Sequence, residues 1–564
     1  MLKLLQFEKK VKITSIILSI WFSIVFILGQ SLTKNATLDS ALSWFTLIKL
    51  PLFLILFYII FGFLFTYALR FNWRGKPFKL NFWWCFGLIF LAWVPYLFIY
   101  FPSLVQYDVG VEMSQFARRW RWDTWHPVIH VLFLNWVYYI GKFITGGSIL
   151  GGFFVHSVVQ MSILAATFAY SIKRLREHGV AGVFLWALLA IYMFFPQNPY
   201  MGMITIKDTL FTCFCVFFFL KTIDFIKTQS TKNLIWFIIT GFLFCIGRKN
   251  GAIAFYASAP FLLIFLWQKA TTTKIYRRFI VGFEPFFKGE YSYHRMARAS
   301  QNAWTRNRMM IIGLAGIIIL NIVFNLSLPL FDIAKGNSRE AYSIPMMQVY
   351  KTYTTKNLPE EQRQLIENLF GNPGDWNAFN AHFADKVKDR FDTRAFDNNK
   401  SKYIKLYFNL FAKYPAEFLA TALNLNIYYW YPASEVPAAG SRSSYMERID
   451  INPTWWLEEK LIIGRETSKW LWALEVLEDF YPMKFAKYLP FLLPSFAIYL
   501  SLFAAIILLL KRRKSWVLLF PLLFMWITIV AGPVTDARYN YPFTILAPIL
   551  LLYALYEKTK SLNE

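Results

Sequence analysis

Three stretches of this chain, Ile13–Leu32, Phe82–Phe101 and Met309–Ser327, each run 19–20 residues without Asp, Glu, Lys or Arg. At a rise of about 1.5 Å per residue, such a run makes a helix of roughly 30 Å, the thickness of a bilayer's apolar core. Few sequence features restrict a fold so tightly, because backbone polar groups in lipid must be satisfied within the segment itself. Composition agrees. Hydrophobic residues make up 57% of the 564 and charged residues 16%, against about 45–50% and roughly 25% in soluble chains. Disordered, fibrous and disulfide-scaffold classes are excluded. The chain reads as an all-α polytopic membrane protein. Its four cysteines (Cys85, Cys213, Cys215, Cys245) lie inside apolar runs and read as small packing residues, not a disulfide or metal set. Met1–Lys12 leads into a full-length apolar run, so the N-terminus reads as a first anchor and not as a cleavable signal.

Charge then orients the chain. The formal charge of +26 would suggest nucleic acid in a soluble protein, but it is unevenly spread. Residues 328–488 carry 20 Lys/Arg and 20 Asp/Glu, leaving 39 Lys/Arg and 13 Asp/Glu for the rest. An excess of cations in short loops marks the cytoplasmic side, so no nucleic-acid partner is expected. Spans are read at 13–32, 50–69, 82–101, 148–170, 180–196, 203–222, 233–248, 251–268, 309–327, 489–510, 515–532 and 541–556. Twelve crossings leave both termini cytoplasmic if Pro127–Ile144 is an interfacial or re-entrant helix. Residues 1–81 then hold two extra N-terminal spans. A membrane core follows over 82–327, with an external loop at 102–147 and a cytoplasmic basic stretch at 269–308. Residues 328–488 form an external, mostly helical domain, and 489–564 the C-terminal spans. The basic stretch, rich in aromatics, suits contact with anionic inner-leaflet lipid or plain solvation. Within the external domain, helices are expected at Leu358–Leu369, Tyr403–Phe411 and Phe418–Tyr428.

Ionisable groups near membrane depth are costly and point to function. In Phe101–Pro127, Asp108, Glu112 and Gln115 fall at i, i+4 and i+7 on one helical face. A carboxylate there can accept a proton or, with Glu112, ligate Mg²⁺ or Mn²⁺. Both roles stay open, as does that of a solvated loop acid. His126-Pro127 opens the interfacial segment, while His130 and His156 read as packed helix histidines. Lys207-Asp208 starts a span and reads equally as an interfacial ion pair. Gly247-Arg248-Lys249-Asn250-Gly251 sets two cations in a tight outer turn, against the charge rule. Such cations can grip a substrate phosphate or simply contact lipid headgroups, and the same two readings hold for Arg538. Arg538 is another outer cation, with Tyr539 beside it. Ser343–Gln348 and Ala384–Lys388 have no chemistry of their own and read as solvated surface.

In order and common sidedness, these motifs resemble those of the type-C (GT-C) glycosyltransferase superfamily. The matching features are Asp108 after a core span, His126-Pro127, the basic turn Gly247-Arg248-Lys249, and Ala537-Arg538-Tyr539-Asn540-Tyr541-Pro542. More narrowly, the chain is similar to a bacterial family with Asp…Gln…His-Pro, Lys-Asp, Arg-Lys-Asn-Gly and Ser-Ile-Pro-x-x-Gln, over roughly residues 82–556. Two departures stand out: a single Pro after His126, and no Asp-x-Asp pair. The resemblance implies a GT-C fold and a sugar donor carried on polyprenyl phosphate, such as undecaprenyl phosphate. The acceptor would be an extracytoplasmic cell-wall or surface glycan (a teichoic acid, for example) or a glycolipid. It implies catalytic roles for Asp108, Glu112 and His126, donor-phosphate contacts for Arg248, Lys249, Arg538 and Tyr539, and substrate contacts for Gln115, Lys207, Asp208, Asn250 and Gln348. Direct displacement with Asp108 as base would invert the anomeric centre. Competing classes are a transporter or flippase of lipid-linked glycan, a non-catalytic polymer-binding membrane protein, and an acyl or phosphoglycerol transferase. The first would more naturally show midplane charges and repeated halves, and neither is seen in the sequence.

Overall fold

The computed structural model describes residues 7–105, 107–267, 291–336, 339–371, 380–432 and 493–558. Among them the fold is all-helical, without a strand. The first half comprises α1 (Lys9–Asn35), α2 (Trp44–Arg70), α3 (Phe82–Ile99), α4 (Tyr107–Phe116), α5 (Val128–Ile144), α6 (Ile149–Glu177), α7 (Gly182–Phe194), α8 (Gln197–Met203), α9 (Lys207–Thr228), α10 (Thr231–Gly247), α11 (Lys249–Leu266) and α12 (Tyr291–Ser327). The middle region adds α13 (Ser343–Thr355), α14 (Glu360–Phe370), α15 (Asp385–Arg390), α16 (Thr393–Asn398), α17 (Lys400–Lys413) and α18 (Pro415–Leu425). The chain closes with α19 (Pro494–Leu510), α20 (Leu519–Val530) and α21 (Ala537–Tyr556).

Eight of the described helices are long and apolar enough to cross a membrane: α1, α2, α3, α6, α9, α11, α12 and α21. This is a multi-pass membrane protein. Four of the spans expected from sequence (180–196, 233–248, 489–510, 515–532) are shorter apolar helices of fewer than 18 residues. Burial ranks the long ones. The apolar window of α9 is 83% buried, whereas that of α2 is 18% buried. Hence α9 is the central helix, and α1 and α2 form a peripheral pair. The pair docks on α19 through Phe22, Phe57, Phe61, Tyr499 and Phe503, with Phe22 and Tyr499 centroids 4.7 Å apart. The basic stretch 269–308 is already helical from Tyr291, continuous with the apolar run of α12. Residues 268–290, which take in the first part of that stretch, and residues 433–492, on which the rest of the expected external domain and the start of the expected span 489–510 fall, lie outside those described.

The two ends of the bundle differ chemically. At one end, cations cover the C-terminal carbonyls of helices, where the helix dipole favours positive charge. Lys10 donates to Leu510 O (3.0 Å) and Lys511 to Ala554 O and Leu555 O (2.9 and 2.7 Å), while Arg176 holds Leu80 O (2.8 Å) in the loop ahead of α3. Lys227 pairs with Glu557 at 2.6 Å, and Arg174 with Asp224. The opposite end carries the α3–α4 junction, the starts of α9 and α21, and the α10–α11 turn.

At that second end, α5 packs antiparallel along the first part of α6. Tyr138 meets Phe153 (centroids 4.8 Å) and Phe133 meets His156 (5.4 Å). A side chain on Gly141 would strike Val155 and Gly152, so only glycine lets the helices approach this closely. Further along α6, Gln160 Nε2 donates to Ile204 O at 2.6 Å, at the α8–α9 junction. The first turns of α6, and α5 with them, therefore extend beyond that junction. Trp136, Tyr139, Ile140 and Phe143 leave an exposed apolar face on α5.

A separate core holds α13 to α18 together, built from Met347, Tyr350, Ile366, Val387, Leu410 and Phe418. The expected helix at Leu358–Leu369 is α14, with Glu360 and Glu361 in its first turn. Tyr403–Phe411 lies inside α17, and Phe418–Tyr428 is split between α18 and a single 3₁₀ turn at Ile427–Tyr429. Asn426 Nδ2 ties this unit to α20 by donating to Val530 O and Gly532 O, both at 2.8 Å.

Candidate functional site

Four chain segments meet at the end of the bundle away from the cation-capped termini. Asp108 sits in the first turn of α4, where the dipole favours an acid. Its carboxylate Oδ2 accepts from Lys207 Nζ, the first residue of α9, at 3.1 Å. Asp208, fully buried beside it, pairs with Arg248. Arg248 is extended between α10 and α11 and so sets the break that separates them. Gly251 serves that turn. A Cβ there would lie 2.1 Å from Phe244 O, so the motif's glycine lets the start of α11 press against α10.

Asp536 begins α21. It caps the helix by accepting from Arg538 N at 3.0 Å and holds the Arg538 guanidinium at 2.8 Å. Both guanidiniums then lie against one ring: Arg248 is 4.3 Å and Arg538 5.0 Å from the Tyr539 centroid. Two cations on one aromatic ring repel each other. Asp208 and Asp536 offset that repulsion, and Arg538 Nη2 also donates to Tyr539 OH at 3.2 Å.

Glu112, one turn after Asp108, is clamped by two histidines. Its Oε1 lies 3.1 Å from His126 Nδ1 and its Oε2 2.7 Å from His130 Nδ1, with all three side chains almost fully buried. His126 Nδ1 is also 3.2 Å from Lys207 Nζ. Gln115 Nε2 donates to Asp123 Oδ1 (3.2 Å), which also accepts from Trp125 N (2.8 Å). This contact braces the loop that delivers His126. The face presenting Asp108, Glu112 and Gln115 thus spends each residue on a different partner.

Partial burial opposes a charge on Asp108, but Lys207, His126 and Arg538 outweigh it and hold its carboxyl well below the usual carboxylate range. Burial likewise opposes the charge of Glu112, whereas the charge of His130 and hydrogen bonds from both histidines bring it down from 4.5 to about 2. A folded-state pKa below the unfolded one adds stability above the unfolded value, and that stability fades as pH falls through the folded value. The gap in thermal midpoint between wild type and Glu112→Gln is therefore expected to be full near neutral pH. It should shrink as pH drops from 4.5 toward about 2. Melting curves of both proteins over an acid series check this.

The remaining expected residues fall as follows. Lys249 is exposed and Asn250 half-buried in the first turn of α11. Gln348 is not brought to the cluster by its contacts. It donates to Phe418 O and accepts from Tyr407 OH, both at 2.8 Å, inside the separate core of α13 to α18. His130, read from sequence as a packed histidine, is a direct partner of Glu112. Its spacing of four from His126, at the start of one helix, was the available signal. Asp536, which the sequence places with Arg538 in the turn Pro533–Pro542 without a role of its own, is the cap of that helix, and an Asp two residues before Arg538 at a helix start is a capping signature.

A divalent ion does not fit well here. Both Glu112 oxygens are turned to histidines, and Asp108 faces Lys207 with Arg538 beyond it. Among the described residues, no group of three or more His, Cys, Asp and Glu could hold a metal ion. Comparison with known proteins gave no match: no family model fits the chain, and neither a curated relative nor a solved structure resembles it.

Proposed function

We propose that this cluster is the active site of a membrane glycosyltransferase that moves a sugar from a polyprenyl-phosphate carrier to an acceptor on the outer side of the membrane. The observation that carries the reading is the convergence of an ionised, partly exposed carboxylate and two stacked guanidiniums at the bundle end opposite the cation-capped termini. By the positive-inside rule the capped end is cytoplasmic, so the cluster faces outward, where a lipid-borne donor needs no nucleotide. In a twelve-span GT-C arrangement α5 does not cross. It lies at the outer interface with its exposed aromatic face against the headgroups.

Asp108 removes the proton from the acceptor hydroxyl as that oxygen attacks the anomeric carbon. The bond from that carbon to the phosphate oxygen breaks, and its electron pair leaves with the polyprenyl phosphate. Arg248 and Arg538 stabilise the charge that develops there. A single displacement inverts the anomeric centre. No metal is required by this scheme, so chelators are expected to leave transfer intact.

A photoreactive polyprenyl-phosphate analogue tests the site. Labelled peptides should be those bearing Lys207, Arg248 or Arg538, and labelling confined to other regions would overturn the assignment. Sidedness is tested by single-cysteine labelling in sealed vesicles. Cysteines at Lys173 and Lys402 should react from opposite sides, with Lys402 outside. Reaction of both from one side would rule out the twelve-span arrangement.

A further inference from the structure

We propose that Lys207 caps the Asp108 carboxylate in the resting site and leaves it for the donor's phosphate, so that the base is uncovered only when donor is bound. The proposal rests on the transferase reading above. Its starting point is an over-subscribed nitrogen. His126 Nδ1 lies 3.2 Å from the Lys207 ammonium and 3.1 Å from Glu112 Oε1. One ring nitrogen can either accept from an ammonium or donate to a carboxylate, never both at once. One of the two contacts must therefore be exchangeable.

The Glu112 side is the fixed one. Its second oxygen is anchored on His130 Nδ1 at 2.7 Å, and the three side chains are buried between α4 and the start of α5. Lys207 is the mobile partner, with a flexible four-carbon stem at the first residue of α9 and a side chain 14% exposed. The next residue, Asp208, holds Arg248, and Arg538 also acts on Asp108. A phosphate gripped by those guanidiniums would thus sit within the field of the Lys207 ammonium.

Charges facing that ammonium are Asp108 on α4, Glu112 behind His126, His126 itself ahead of α5, and Arg538 on α21. Asp108 holds it as a carboxylate at 3.1 Å, with His126 Nδ1 at 3.2 Å. An arriving phosphate offers more acceptor oxygens and more negative charge than one carboxylate. The exchange moves no proton: His126 Nδ1–H donates to Glu112 throughout, Lys207 passes from carboxylate to phosphate, and Asp108 recovers its basicity beside the acceptor. Without this release, a carboxylate paired with an ammonium is a weak base.

The test is zero-length cross-linking of the purified full chain. A carbodiimide activates the Asp108 carboxylate, and the Lys207 amine at contact distance displaces the activating group as a urea. This leaves an Asp108–Lys207 amide that peptide mass spectrometry detects. The amide should form in ligand-free protein and be absent from Asp108→Asn. Saturating polyprenyl phosphate should lower its yield several-fold, while polyprenol, which lacks the phosphate, should not. A yield unchanged by polyprenyl phosphate overturns the cap. Sugar transfer is measured on the same preparation. Transfer with an unprotected cross-link removes the cap and leaves the transferase standing, whereas protection without transfer supports phosphate exchange at Lys207 and removes the transferase. Kinetics give a second reading. The acid limb of kcat should lie at higher pH than that of kcat/KM in wild type, and the two should coincide in Lys207→Gln.

Discussion

Asp108→Asn is expected to abolish most sugar transfer while leaving donor binding near normal. A positioned general base contributes roughly 10²–10⁴-fold to rate, and asparagine keeps the size of the side chain while losing its basicity. The substitution also removes the partner of Lys207. That ammonium would remain close to the donor's phosphate, so affinity should hold or rise slightly. Turnover and polyprenyl-phosphate binding measured on the same purified variant separate the two effects. Full turnover in Asp108→Asn would take Asp108 out of the chemistry.

Arg248→Ala carries the second large effect, and it acts on two links at once. Its guanidinium is the partner of Asp208, whose side chain is fully buried. Breaking a buried pair from one side costs about 3–5 kcal/mol, because the remaining charge is left uncompensated. Losing a charge-assisted phosphate contact costs on the order of 2–5 kcal/mol in donor use. A double variant distinguishes fold from function. Arg248→Ala with Asp208→Asn should regain most of the lost thermal stability, because no uncompensated charge remains, yet should still use donor poorly. Recovery of both properties together would make Arg248 a purely structural cation. Arg538→Ala should also weaken donor use, since its guanidinium shares the Tyr539 ring with Arg248.

Much of this architecture was legible because lipid leaves so few alternatives. Runs such as Phe82–Phe101 announce a helix by length alone, and α3 occupies Phe82–Ile99. Shorter apolar stretches were less exact: the span expected at 180–196 is the thirteen-residue α7, ended where Phe195 turns to extended backbone ahead of Pro196. In the site, the shared helical face of Asp108, Glu112 and Gln115 followed from their spacing. Their partners did not. Lys207 is 99 residues from Asp108, and no local rule pairs them. His130 was passed over because a histidine among Val, Ile and Leu reads as core until the carboxylate opposite it is known. Gln348 erred the other way. It stood out within a motif, but its amide is used up between Tyr407 and Phe418, in a fold contact that short-range sequence cannot reveal.

The most direct measurement is transfer itself, with purified full-length protein in liposomes, a radiolabelled sugar on polyprenyl phosphate, and acceptor glycan supplied on the side that the proposal makes external. The expected result is label passing to the acceptor with inversion at the anomeric carbon in wild type, and at least a hundredfold less in Asp108→Asn. Folded wild-type protein that transfers no sugar from any polyprenyl-phosphate donor, to acceptor on either side of the membrane, would contradict the transferase.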